Sequence, residues 1–171
     1  VSIVNPVYNP AVRSYLNTYI YRRPEHTAMM LGWAAVYFPM FEKALAEEGL
    51  PTDLKYLSIV ESALNPAAIS RSGAGGLWQF MKPTARECGL KISSYVDERM
   101  DPDKSTKAAV HYLKQLYAMF GNWELVMAAY NAGPGRVRAA VKRAGSSDYW
   151  KIARFLPEET RSYVPGFIAA S

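Results

Sequence analysis

The sequence contains one cysteine, two histidines and no apolar run long enough to cross a bilayer. Each shortage excludes something. Cys88 cannot close an intramolecular disulfide, and one thiol cannot build a cysteine-cluster zinc or iron–sulfur site. His26 and His111 lie far apart without a companion ligand pattern, so they read as ordinary helix or surface residues and no metal is expected. The uncharged stretch 27–41 has 15 residues and includes Pro39, against the ~20 apolar residues a spanning helix needs. It reads as a buried helix. A signal peptide, an internal repeat, a low-complexity linker and a GxxxxG frame followed by Lys-Ser or Lys-Thr are all missing. Because the chain begins at Val1 rather than Met, it reads as a processed or trimmed product. Membrane association is expected only through segments outside it.

What is present describes a folded domain. Half of the 171 residues are hydrophobic, 20% are charged and 13% are aromatic, which excludes a disordered or collagen-like chain. The net charge of +5 is mostly scattered. The exception is 135–145, where Arg136, Arg138, Lys142 and Arg143 occur without an acid. This segment is either a solvated helix face or a surface that attracts substrate carboxylates. No readout motif or ribonucleoprotein signature accompanies it, so nucleic acid is not an expected partner.

Apolar spacing is helical nearly throughout, which predicts a mainly α domain. Residues 1–26 read as an irregular arm with a short helix at 12–21, followed by a long helix over 27–48 ending at Gly49. Residues 1–49 are expected to pack on a core of 50–171 as one compact domain. Further helices are expected at 53–64, 83–88, 103–120, 123–131, 135–144, 149–155 and 157–164. The segment 67–81, with Gly73, Gly75 and Gly76, is expected to be a loop or short hairpin.

Helical spacing over 53–64 puts Glu61 on one stripe with Leu54, Leu57 and Leu64. The positions three and four residues away hold Leu57, Ser58, Leu64 and Asn65, none of them a cation. A carboxyl group in apolar surroundings resists ionisation and keeps a proton near neutral pH, as a general acid must. The alternative is a glutamate satisfied by a distant arginine or a backbone amide. Other acids have a cation at helical spacing: Asp103 with Lys107, Glu47 with Lys43, Asp148 with Lys151, and Glu158 with Arg154 and Arg161. Glu124 follows Asn122 in the first turn of its helix, where a negative charge is favoured.

After this helix, Gly73 to Met81 combines glycines with Trp78, Gln79, Phe80 and Met81, a composition suited to a sugar subsite. Trp78 offers a face for a pyranose ring; equally, Trp78 and Phe80 could return to the core. Farther on, Tyr130 and Asn131 end a helix before Gly133-Pro134-Gly135. They read either as rim residues or as a core aromatic and a helix terminator. Good capping explains the start of the helix at Pro157, and nothing local assigns a role to Tyr163.

Four pieces occur in order: Glu61-Ser62, Gly76-Leu77-Trp78-Gln79, Ala129-Tyr130-Asn131-Ala132-Gly133, and Glu159-Thr160-Arg161-x-Tyr163-Val164. Together they resemble the goose-lysozyme-like lytic transglycosylases of the soluble lytic transglycosylase type over about 50–165. Leu50-Pro51 and the Gly-Leu-Trp-Gln string resemble the membrane-bound D-type subgroup. The resemblance implies a lysozyme-like fold that takes bacterial peptidoglycan strands of alternating N-acetylmuramic acid and N-acetylglucosamine. It implies Glu61 as the single catalytic acid/base. Ser62, Gln79, Tyr130, Asn131 and Tyr163 would position substrate or acid, and Trp78, Phe80 and Met81 would shape subsites. It further implies 1,6-anhydro products, no cofactor or metal, a monomer, and residence in the bacterial cell envelope. A hydrolytic muramidase on the same fold, a non-catalytic glycan-binding module and an assembly-associated structural domain are the alternatives.

Overall fold

The structure, a computed structural model, describes residues 3–5 and 8–171. Among these residues it is mainly helical, with only isolated β-bridges and no sheet. The helices are α1 (Pro10–Asn17), α2 (Pro24–Glu47), α3 (Leu57–Ser62), α4 (Lys82–Glu87), α5 (Pro102–Phe120), α6 (Trp123–Ala132), α7 (Pro134–Ala144), α8 (Tyr149–Ile152) and α9 (Glu158–Ala170). A π-helical stretch covers Thr18–Arg22, and 3-10 turns cover Thr52–Tyr56, Glu98–Met100 and Ala153–Phe155. Among the described residues no helix is long and apolar enough to cross a membrane.

The chain divides into two compact units, one made of the described residues up to Thr18 together with 113–171, the other of 19–112. In the first, α9 packs on α1 and α6, and α6 packs on α7. Its core includes Val12, Leu125, Val126, Val137, Tyr149, Val164 and Phe167. In the second, α2 packs on the Thr52–Tyr56 turn, which in turn packs on α3. Phe41, Leu45, Leu54, Leu57, Leu64, Leu77 and Trp78 are buried there.

Three expected elements come out differently. The stretch 27–41 is helical but not buried all round. Met30, Ala34 and Phe41 face the interior, whereas Met29, Leu31, Trp33 and Val36 are exposed, because neighbours cover one face only. Its Pro39 remains inside α2 on the exposed side, where water can satisfy the carbonyl that proline leaves without a donor. The expected helix over 53–64 is a 3-10 turn followed by the short α3. It stops at Ser62 because Ala63 (φ 52°) and Leu64 (φ 62°) both turn left-handed. That conformation is unfavourable by about 1–2 kcal/mol per residue, and here the full burial of Leu64 opposes it. The last helix runs on to Ala170 through Pro165, since Val164 and Phe167 continue its buried face.

Candidate active site

Glu61 is half-buried in the last turn of α3, one turn after the fully buried Leu57. The adjoining face of the helix is fastened to the glycine-rich segment. Ser58 and Ser62 both donate their hydroxyls to the Leu77 carbonyl, at 2.8 and 2.9 Å, and Ser62 also reaches the Ser58 carbonyl at 3.0 Å. A carbonyl has two lone pairs, so Leu77 satisfies both serines at once. Ser62 therefore fixes the turn that carries Glu61 against the loop.

The loop is a tight fold-back. Gly75 and Phe80 exchange backbone hydrogen bonds at 3.0 and 3.1 Å, and the Gln79 amide returns to Gly76 at 3.2 Å. Gly76 has φ +79°, and a Cβ there would lie 1.9 Å from the backbone oxygen of Arg99. No side chain fits. Gln79 is itself left-handed at φ 50°. Its Nε2 donates to the carbonyls of Gly76 and Ala68 at 2.8 and 3.1 Å, which spends the donor end on the loop and leaves Oε1 as the acceptor. Met81 is exposed. Trp78 corrects one expectation: it is 0% exposed, its indole N–H donates to Thr106 at 3.0 Å, and its ring packs on Phe41. It offers no face to a sugar. Phe80 is buried as well, beside the Tyr112 ring. Both return to the core, because an indole and a phenyl bury more apolar surface there than a glycine turn can shield.

A residue that sequence reasoning passed over holds this loop. Arg99 is buried, and its Nη1 donates to the carbonyls of Gly73 and Phe80 at 2.7 and 2.9 Å. Its Nε and Nη2 engage Asp97 at 2.9 and 2.7 Å. One planar fork thus joins both ends of the glycine segment to a carboxylate. Hydrogen bonding from Arg99 holds the Asp97 carboxyl below its usual range, against the opposing effect of burial. The neighbouring Glu98 is held low by Lys104 and the Lys91 amide. The only sequence signal was the charged run Asp97-Glu98-Arg99, which looks like solvated surface. Nearby, Cys88 is half-buried, and burial followed by the Glu87 charge pushes its thiol up to about 11.

Tyr130, Asn131 and Tyr163 belong to the other unit. Asn131 does not terminate its helix: α6 continues to Ala132 and is capped at Gly133, φ 90°. Its side chain joins α6 to α9, with Nδ2 donating to Glu159 at 3.3 Å and Oδ1 accepting from the buried Thr160 hydroxyl at 2.8 Å. Tyr149, fully buried, donates its hydroxyl to the carbonyls of Thr160 and Arg161, both at 3.0 Å, and burial raises its pKa. Two motifs far apart in sequence are one hydrogen-bonded corner. Tyr163 is buried and Tyr130 half-buried. The expected pair of Glu158 with Arg154 does not form. The 3-10 turn ends at Phe155 and Leu156 is extended (ψ 157°), so positions 154 and 158 do not share a helix; Arg154 lies over Phe155 instead. Among the described residues, no three His, Cys, Asp or Glu side chains are grouped to hold a metal ion.

Glu61 thus sits in the last turn of a short helix braced by the glycine-rich loop in a mainly helical chain. Residues 38–153 match the Transglycosylase SLT domain, and the chain belongs to that family. Among individual relatives, it is 43% identical over 130 residues to the membrane-bound lytic murein transglycosylase D of Escherichia coli K12, covering 73% of this chain and 28% of that protein. The crystal structure of the 70 kDa soluble lytic transglycosylase of E. coli superimposes with a TM-score of 0.68 at 31% identity, covering 78% of this chain and 23% of that one. The complex of the 70 kDa soluble lytic transglycosylase with bulgecin A gives 0.69 at 27% identity, covering 91% and 26%. The chain thus spans less than a third of the length of each of these relatives. The family resemblance carried by the four ordered motifs holds.

Proposed function

We propose that this chain is the catalytic part of a lytic transglycosylase of the bacterial cell envelope. It would cleave the β-1,4 bond between N-acetylmuramic acid and N-acetylglucosamine in peptidoglycan and leave 1,6-anhydro ends. The observation that carries this reading is Glu61 in the last turn of α3, held to the glycine segment through Ser58, Ser62 and the Leu77 carbonyl. Membership of the transglycosylase family supports it.

Most glycosidases use two carboxylates. The one-carboxylate scheme proposed here gives both proton transfers to Glu61 and lets the substrate's own N-acetyl group take the part of the second carboxylate. Glu61 gives its proton to the glycosidic oxygen as the bond to C1 of the muramic residue breaks, and the sugar's own N-acetyl oxygen bonds to C1. The Glu61 carboxylate then takes the proton of the C6 hydroxyl. That oxygen attacks C1, releases the N-acetyl oxygen and closes the anhydro ring, and no water is consumed. An intramolecular nucleophile has a large effective concentration, which is how it outruns solvent. In this scheme Gln79 through Oε1, with Tyr130, Asn131 and Tyr163, positions substrate, and Ser62 positions the acid.

Digesting purified peptidoglycan and weighing the products tests the reading. Anhydro ends are lighter by one water than hydrolytic ends, which separates this chemistry from a muramidase, and undigested glycan marks a binding module. Glu61→Gln is expected to lower turnover by at least ~10²–10⁴-fold; near-normal turnover removes Glu61 from its role.

A further inference from the structure

The basic segment of α7 forms one wall of an open groove of about 830 Å³, within the range of ligand sites. Arg136 and Arg143 lie two turns apart on α7, and Arg154, Phe155, Leu156 and Pro157 complete the wall; no acid lines it. The guanidinium carbons of Arg143 and Arg154 are 5.0 and 4.7 Å from the Phe155 ring centroid. Their separation is at most those two distances laid end to end, about one Debye length at ~0.1 M salt. The loss of the expected Glu158 pairing leaves Arg154 among these cations, and no ion pair neutralises any of the three arginines among the described residues. Two like charges on one ring, with a third on the same helix face, are mutually unfavourable until an anion bridges them.

We propose that this groove is a binding site for carboxylates carried by the peptide side chains of the glycan substrate. The inference rests on the peptidoglycan reading above and adds to it a preference for peptide-bearing strands. Guanidinium forks suit carboxylates by paired N–H donation, and the Phe155 ring with Leu156 and Pro157 offers apolar contact to the side chains between them. A spread of three cations around an aromatic floor fits a short peptide with several carboxylates better than a single small ion.

The test adds a free stem tetrapeptide to the isotopically labelled protein and follows backbone amide resonances. Shifts are expected at 136–143 and 153–157. Amidating the peptide carboxylates, or replacing Arg136, Arg143 and Arg154 together by Gln, is expected to weaken binding at least about tenfold, equivalent to ~1.4 kcal/mol. The corresponding triple Lys variant, which keeps the charge, is expected to recover part of it. In turnover, the triple Gln variant is expected to lose about tenfold in its preference for peptide-bearing over peptide-free strands. The proposal is overturned by shifts confined to other residues, by equal binding of the amidated peptide, by an unchanged strand preference, or by a glycerol phosphate oligomer binding where the peptide does not. Failure of the wild type to cut either strand rejects the catalytic reading alone, because the resonance measurement requires no turnover.

Discussion

Arg99 in one unit and the Arg143–Arg154 pair in the other use the same chemical group in opposite ways. Arg99 is buried, and its guanidinium is committed to Asp97 and to the Gly73 and Phe80 carbonyls. Arg143 and Arg154 are exposed and share one aromatic ring. A guanidinium whose donors are consumed inside the fold shapes a loop; one whose donors face solvent beside another cation is available to a ligand. Breaking the first should therefore appear mainly in stability, whereas breaking the second should appear mainly in binding.

The largest stability effect is expected from Arg99→Met. It strips Asp97 of its cation and the Gly73 carbonyl of its donor, while the Phe80 carbonyl keeps the Gly75 amide, and removing one member of a buried pair typically costs ~3–5 kcal/mol. The lower end applies here, because the Asp97 side chain is 28% exposed. The pH dependence has a definite sign. With its folded pKa lowered, Asp97 contributes stability that is complete above its ordinary value of 3.8 and is lost as pH falls through the lower folded value. Denaturant titrations at neutral and acid pH should show the gap between variant and wild type narrowing in acid. A constant gap would mean that Arg99 acts through packing rather than through the Asp97 charge.

An intermediate effect is expected from Thr160→Val, which removes the donor to Asn131 Oδ1 and keeps the shape of the side chain. One lost hydrogen bond is worth about 1 kcal/mol, visible as a modest fall in Tm. If Asn131 positions substrate, kcat should fall further than stability alone explains, and Thr160→Ser, which restores the hydroxyl, should recover it. Equal loss in the Ser and Val variants would sever the corner from catalysis.

Much of this organisation is legible in the chain. The helical periodicity, the capping residues and the punctuating glycines place most elements within a few residues, and the run that contains Glu61 stands out because its helical neighbours carry no cation. Long-range contacts are not legible. That Arg99 would turn inward depends on the Gly73 carbonyl and on the second lone pair of the Phe80 carbonyl, which the fold-back brings beside it, a fact absent from the local pattern of three adjacent charges. Trp78 was ambiguous for a related reason: its burial is decided by Phe41 and Thr106, distant in sequence. The left-handed pair Ala63 and Leu64 defied a periodicity argument because the burial of Leu64 outweighs its backbone preference.

The smallest effect sharpens the contrast between satisfied and unsatisfied charge. Asn122, not Glu124, supplies the side-chain cap of α6, accepting from the Leu125 amide at 3.2 Å. Glu124 has its carboxyl raised by burial and by the Asp148 charge, only partly offset by a hydrogen bond from Trp150. A raised carboxylate contributes stability that is full below its ordinary value of 4.5 and is lost as pH rises through the folded value, so the ionised group opposes folding near neutrality. Glu124→Gln should thus stabilise the protein at pH 7 by less than ~1 kcal/mol, since solvent screens a half-exposed group. The gain should vanish below pH 4.5, where wild-type Glu124 is protonated whether the chain is folded or not. A thermal-melt series across that range distinguishes this from a general surface-charge effect: in a protein of net charge +5, removing a carboxylate that was only a solvated counter-charge should lower stability at neutral pH rather than raise it.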